Sequence, residues 1–272
     1  MKLLLHACCG PCSLEPTRLL KAAGHDITIY YANSNIHPAE EYEHRLATLR
    51  TWAADAGFEV LEGPYDPATW EACAGRIGDA AIAEVEGARA EAGAESECAS
   101  EGASPRAAVL SVDPARREAR CRACYRLRLE ETARVAAEQG FEGIGTTLSV
   151  SPYQYTQVIR EEVERAATQA GVVPVFEDFR PYYDEATRES RELGMYRQNF
   201  CGCRISDLEA AAERAERKEQ RAAAKAAERA AHADERAAEE AARAAHKAER
   251  AAYDKKQARK RAILKALREQ GK

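Results

Sequence analysis

Between residues 2 and 176, short β-rich runs alternate with longer segments of helical period, and that alternation restricts the chain to a parallel sheet flanked by helices. Residues 2–6 form an apolar run. Residues 14–23 place Leu14, Leu19, Leu20, Ala22 and Ala23 at helical spacing, and Gly24 stops them. The second strand, 27–32, is rich in β-branched and aromatic residues. A helix over 40–56 closed by Gly57, a strand over 58–61 and a helix over 125–139 ended by Gly140 follow. Strands over 144–150 and 172–176, with a helix over 157–170 between them, complete the series. In such sheets ligands bind beyond the carboxyl ends of the strands. Four motifs fall on that rim: Cys8-Cys9, the segment 33–38, Tyr65-Asp66 and the segment 149–152.

Two segments stand apart from this α/β domain, which spans 1–208. Residues 79–117 are rich in Ala, Glu, Gly and Ser, with Ile82, Val85, Val109, Leu110 and Val112 the large apolar exceptions, and read as a flexible surface insertion. Residues 209–272 are mostly Ala, Glu, Arg, Lys and Gln, strong helix formers with opposite charges at helical spacing, as in Glu213–Arg217 and Glu239–Arg243. They read as a helical tail of ~90 Å if continuous, at ~1.5 Å per residue. Heptad positions hold alanine rather than leucine, so a coiled coil is weakly specified. The tail carries 18 Lys+Arg against 12 Asp+Glu, which leaves 22 against 33 on the rest. An acidic body with a basic tail is not the pattern of a general nucleic-acid binder.

The nine cysteines decide the chemistry. The N-terminus has no small-residue cleavage site, and no apolar stretch approaches the ~20 residues of a membrane span. A cytoplasmic, reducing compartment is therefore expected, with the thiols serving metal or redox chemistry. Cys121-x-x-Cys124 reads as the opening of a helix, two thiolates on one side of its first turn, ionised by the helix dipole and flanking arginines. Cys8-Cys9 adds two ligands from a Gly-Pro loop. Four thiolates suit an iron–sulfur cluster or tetrahedral zinc; adjacent cysteines at one corner favour the cluster. Cys201-Gly202-Cys203 can close only a small, strained disulfide ring, the labile and catalytic type, or else supply further ligands. Cys12 is a ligand for a second metal, a redox thiol or a packed residue. Cys73 and Cys98 read as incidental.

These motifs resemble the QueH-type epoxyqueuosine reductases: His6-Ala7-Cys8-Cys9-Gly10-Pro11-Cys12; the run from Tyr31 to Pro38 with Glu41-Tyr42; the run from Arg120 to Arg128; the run from Thr146 to Tyr153; and the run from Tyr196 to Cys203. The resemblance covers about residues 1–208; the stretch between Trp70 and Cys121 is longer than usual and the tail is extra. It implies a Rossmann-like fold of the HUP or PP-loop type and reduction of epoxyqueuosine to queuosine at the tRNA wobble position. It implies a 4Fe–4S cluster on Cys8, Cys9, Cys121 and Cys124, a redox-active pair at Cys201 and Cys203, and a second metal, a mononuclear iron, with Cys12 the first candidate ligand. The partners implied are tRNA carrying epoxyqueuosine and an electron donor.

Substrate contacts are expected from Asn33, Asn35, His37, Tyr42, Ser151 and Tyr153, with His37, Tyr42 and Tyr182 as candidate acids. Asp66 and Asp178 are metal ligands, orienting groups or simple turn formers. Arg120, Arg122, Arg126 and Arg128 contact RNA phosphates or polarise the thiolates. A tRNA-thiolating enzyme of the PP-loop class would share the fold, but Cys-Cys-Gly-Pro-Cys stands where its pyrophosphate loop should be. A heterodisulfide-reductase-like subunit would have tighter cysteine spacing. The non-enzymatic alternative is a zinc-stabilised RNA- or protein-binding module.

Overall fold

A computed structural model describes residues 1–94 and 105–270. The chain divides into two units, residues 1–213 and 214–272. The first contains β1 (Lys2–His6), α1 (Leu14–Ala22), β2 (Asp26–Tyr31), α2 (Ala39–Ala56), β3 (Glu59–Glu62), α3 (Pro67–Trp70) and α4 (Arg76–Ala94). It continues through α5 (Pro105–Leu110), α6 (Pro114–Glu138), β4 (Gly143–Thr146), α7 (Thr156–Ala170), β5 (Val173–Pro174) and α8 (Tyr183–Glu192) into the start of α9 (Arg204–Ala231). The second unit is the rest of α9 and α10 (Ala233–Gln270). Its described side chains are nearly all exposed, and no described helix is long and apolar enough to cross a membrane.

All five strands are parallel, in the order β3-β2-β1-β4-β5, the doubly wound arrangement. Leu3, Leu4 and Leu5 of the central strand are all buried, because helices cover both faces. Alternation sends Leu3 and Leu5, with Ile29 and Tyr31, into one core with Leu46, Leu49 and Ala53 of α2. Leu4, Tyr30 and Ile144 face the other core with Leu129 and Ala133 of α6 and Ile159 and Val163 of α7. Gly143 lets the outer strand close up: a Cβ there would lie 2.8 Å from the Val173 carbonyl oxygen. At that edge β5 is only two residues long and ends on Pro174, which has no ladder donor to give.

Three boundaries differ from expectation. The strand expected over 144–150 ends at Thr146, where the Thr147 amide turns back to the His6 carbonyl and Leu148–Val150 forms a 3-10 turn. The strand expected over 172–176 is likewise reduced to β5. The helix expected over 125–139 begins eleven residues earlier, at Pro114, with Asp113 accepting from the Ala115 and Arg116 amides. That start belongs to the segment 79–117, expected as a flexible surface insertion, whose described residues are mostly helical. Ala81, Ala108, Val109 and Val112 are buried there and α4 packs on α6. Alanine reads as a weakly packing residue in the sequence, but between closely packed helices its small size is what fits. Cys98 lies outside the described residues.

Helices α6 and α7 are tied by one buried carboxylate. Glu162 meets Arg126 at 3.0 Å, Arg165 at 2.8 Å and Arg122 at 3.3 Å. Burial pushes its carboxyl up, but Arg126 and Arg165 outweigh this and hold it below its ordinary value of 4.5. A depressed native value adds stability that is complete above the unfolded value and fades as pH falls below it. Glu162→Ala is expected to cost about 2 kcal/mol at pH 7, less than a fully buried pair because the arginines can turn to water. Urea unfolding at pH 7 and pH 4 checks this, with the difference between variant and parent shrinking at the lower pH.

Candidate active site

The doubly wound order puts a crevice beyond the carboxyl ends of β1 and β4, where crossovers on either side of β1 run to opposite faces. His6 closes β1 and is buried, its Nδ1 2.9 Å from Thr146 Oγ1 on β4. Burial, reinforced by the Arg128 charge, lowers its pKa to about 3, so the ring is neutral. Two residues on, the Cys8 amide donates to Thr147 Oγ1. The chain then turns through Gly10 and the 3-10 turn Pro11–Ser13, which brings Cys12 back over the pair.

The sulfurs of Cys8, Cys9 and Cys12 all lie within 4.8 Å of one another. Cys8 and Cys9 are 3.8 Å apart, about the edge of a tetrahedron with ~2.3 Å metal–sulfur bonds. These adjacent cysteines therefore suit a single thiophilic ion as well as a cluster, so their spacing does not by itself favour the cluster. Hydrogen bonds from Cys12 and Cys8, with Arg45 nearby, hold the Cys9 thiol well below the ordinary range, while Cys12, the donor, is pushed well above it. Gln198 Nε2 donates to Cys9 Sγ at 2.9 Å.

Cys121 and Cys124 sit well inside α6, which starts at Pro114, and not in a first turn. The dipole effect fades within one turn, so the expected activation by the helix terminus does not apply. Burial instead raises both thiols to about 12, with Arg120 opposing at Cys121 and Arg128 at Cys124. The spacing does put both sulfurs on the face turned toward the rim, and the buried indole N–H of Trp70 faces Cys124.

Cys201 and Cys203 are free thiols on a clamped loop. Arg45 donates to the carbonyls of Cys201 (2.9 Å) and Phe200 and is ion-paired to Glu41 at 2.6 Å. The His37 amide donates to the Gly202 carbonyl at 2.9 Å. Gly202 has φ +132°, and a Cβ there would press on Ile36, Arg45 and Asn35 at 3.0–3.2 Å, so only glycine serves between the two thiols. Cys203 is buried and packs with Cys124, Trp70, Ile205 and the partly buried Cys73. Cys201 is half-buried, 3.9 Å from Gln154 Oε1.

Arg128 joins the three clusters. Its guanidinium is fully buried and acts electrostatically on Cys124, Cys201 and Cys8. One nitrogen donates to Asn33 Oδ1, while Nε and Nη1 have no hydrogen-bond partner. A buried cation with two idle donors among thiols is costly unless something anionic fills the space. The donor set and the idle donors thus fit a thiolate-bound metal group.

Of the residues expected to touch substrate, Asn33, Asn35 and Tyr42 are buried. Asn33 donates to the Ala7 carbonyl at 2.9 Å and Tyr42 to Glu62 at 3.0 Å, so both brace the rim. Both polar atoms of Asn35 are buried and unpartnered beside Gly202. His37 lies part-exposed, 3.9 Å from Glu71. Ser151 Oγ accepts from the Tyr153 amide, and Tyr153 is 81% exposed, its ring edge-on to Tyr183. Asp66 caps α3 and Asp178 pairs with Arg180. Arg120 pairs with Glu209 and Arg122 and Arg126 with Glu162, which takes all three away from RNA phosphates in this structure. Arg45, Gln154, Gln198 and Trp70 went unrecognised in the sequence; Gln198 alone carried a signal, lying in the run that ends at Cys203.

The family model described as epoxyqueuosine reductase QueH matches residues 3–91 and 104–209. Relatives named epoxyqueuosine reductase QueH include one from Dehalococcoides mccartyi, 30% identical over 209 residues that cover 76% of this chain and 93% of the relative. One from Thermotoga maritima is 30% identical over 215 residues, 78% of this chain and 94% of the relative. One from Staphylococcus aureus is 28% identical over 211 residues, 74% of each. The family match runs through all three cysteine clusters gathered at this rim, and the chain belongs to the epoxyqueuosine reductase QueH family of oxidoreductases.

Proposed function

We propose that this protein reduces epoxyqueuosine to queuosine at the wobble position of tRNA, the last step of queuosine biosynthesis, in the cytoplasm. The observation that carries the reading is Arg128, a buried cation shared by Cys8, Cys124 and Cys201 with two donors left idle. Cys8, Cys9, Cys121 and Cys124 are the residues to hold a 4Fe–4S cluster, and Arg128 to offset its negative charge. Cys12, beside Cys8 and Cys9, is the added thiol for a second metal, a mononuclear iron in the simplest case. When bound, the cluster supplies electrons one at a time.

Opening the epoxide to an alkene takes two electrons and two protons and releases water. Two thiols supply that set: Cys201 and Cys203 go from dithiol to disulfide while the carbon–oxygen bonds break and the oxygen leaves as water. An electron donor must then return two electrons and two protons to the disulfide to restore the dithiol. Cys201 is the half-buried member and meets the substrate side, next to Gln154; Cys203, buried behind it, closes the disulfide. His37 joins this loop through its backbone amide to the Gly202 carbonyl, and its part-exposed ring lies beside Glu71. It is assigned the relay of one of the two thiol protons to the leaving oxygen, and it ends the step in the protonation state in which it began.

Tyr153 stands exposed one residue from Gln154 and suits stacking on a splayed base, as single-stranded RNA readers do. Stacking is worth roughly 1–3 kcal/mol per base, so Tyr153→Ala is expected to raise KM for tRNA about 10-fold with kcat little changed. Steady-state kinetics over a range of tRNA concentrations reads the split. The reading as a whole is tested by anaerobic incubation of the full chain, a chemical reductant and epoxyqueuosine-containing tRNA, with nucleosides resolved by mass spectrometry. Queuosine should appear; absence of conversion by protein loaded with iron and sulfide would sink it.

A further inference from the structure

We propose that the segment 255–261 of α10 is an RNA-binding patch that holds the tRNA phosphate backbone; this rests on the tRNA substrate proposed above. The tail's charge is not evenly spread. Residues 209–250 carry ten Lys+Arg and ten Asp+Glu, whereas 251–272 carry eight against two, so the whole excess lies at the far end. Upstream, cations and carboxylates are interspersed in equal number, and one pair, Glu239–Arg243, closes to 3.7 Å. Lys255, Lys256, Arg259, Lys260 and Arg261 are all exposed, and none is ion-paired among the described residues.

That arrangement is unfavourable for the helix alone. Lys255–Arg259 and Lys256–Lys260 are like charges at four-residue spacing, which weaken a helix. The macrodipole does not offset this, because it acts within the last turn and Arg261 lies nine residues before the end of α10 at Gln270. A polyanion reverses the sign of the balance. The remainder of the chain, 1–208, carries 22 Lys+Arg against 33 Asp+Glu and repels an RNA at long range. The arginines that flank Cys121 do not relieve this, being ion-paired to Glu161, Glu162 and Glu209. Five cations in seven residues, with no carboxylate among them, are the densest run of positive charge in the chain and the natural point of attraction for phosphate. RNA is favoured over a lipid surface because a helix lying on a membrane needs an unbroken apolar face. Here the row that holds Tyr253 and Ile263 is interrupted by Lys256 and Lys260.

The test uses the full chain and a fluorescently labelled, unmodified tRNA transcript, with Kd read by anisotropy from 50 to 200 mM KCl. The parent is compared with K255Q/K256Q/R259Q/K260Q/R261Q and with K255R/K256R/K260R; circular dichroism confirms that both keep their helix. The glutamine variant should bind at least ~10-fold more weakly at 100 mM KCl, and its slope of log affinity against log salt should fall by about 3–4, at ~0.9 for each phosphate no longer neutralised. The arginine variant should match the parent. Unchanged affinity and slope in the glutamine variant would overturn the proposal, and if the parent still converts epoxyqueuosine tRNA the active-site reading stands without it. A variant that loses binding to vesicles containing 25% phosphatidylglycerol yet keeps tRNA affinity would overturn it in favour of a membrane surface.

Discussion

A Cys203→Ser variant is expected to lose turnover of epoxyqueuosine tRNA by ~10³-fold or more while keeping its bound iron. The thiol is buried behind Cys201 and receives the Ser206 amide at 3.3 Å, an interaction that a hydroxyl can take over. Serine is close in size, so the fold should survive at a cost of about 1 kcal/mol. What it cannot do is close a disulfide, so the pair loses its two-electron capacity outright, and effects of that kind on a chemical step are large. Anaerobic turnover beside iron content and visible absorbance separates the outcomes. Near-parental turnover would remove the redox pair from the reaction. Loss of iron together with turnover would make Cys203 a ligand instead.

The second large effect is expected at Arg128, with opposite signs in two states of the protein. In metal-free protein the guanidinium is a buried cation with idle donors, and a methionine of similar length removes the desolvation cost of that charge. Arg128→Met should therefore leave the metal-free protein as stable as the parent or more so. In the loaded protein the same change removes the charge that faces Cys8, Cys124 and Cys201, and iron retention under a chelator challenge should fall by about 10-fold or more. Thermal melts of both forms, with iron analysis after the challenge, read the two arms. Lower stability in the metal-free form with unchanged iron retention would make Arg128 a structural residue only.

Much of the fold could be read from residue order. The buried run Leu3-Leu4-Leu5, the aromatic second strand and glycines after each helix placed the rim and put the cysteine motifs on it. The errors have physical causes. Alanine at 81 and 108 carries little hydrophobic signal, yet it is what closely packed helices bury, so α4, α5 and the first turns of α6 are hidden in the sequence. Because α6 starts at Pro114, Cys121 and Cys124 lack the terminal position expected for them, and burial rather than a helix end sets their thiols.

At the site, the three cysteine clusters are legible because cysteine is chemically specific; the groups that hold them in relation to each other are not. Arg45 reaches the Cys201 carbonyl across 156 residues, and Gln198 reaches Cys9 across 189. No local spacing encodes such pairings. Asn33 and Tyr42 read as substrate contacts because both lie in the motif that runs from Tyr31 through Tyr42. Here Asn33 anchors Arg128 and the Ala7 carbonyl, and Tyr42 a neighbouring strand.

The most direct test of the central claim is a single-turnover experiment. Iron-loaded protein is reduced, freed of reductant under anaerobic conditions and mixed with excess epoxyqueuosine tRNA. Expected is close to one queuosine per chain, with two thiols lost at Cys201 and Cys203 by differential alkylation and mass spectrometry. Queuosine formed with both thiols still free, or none formed by fully loaded and reduced protein, would contradict it.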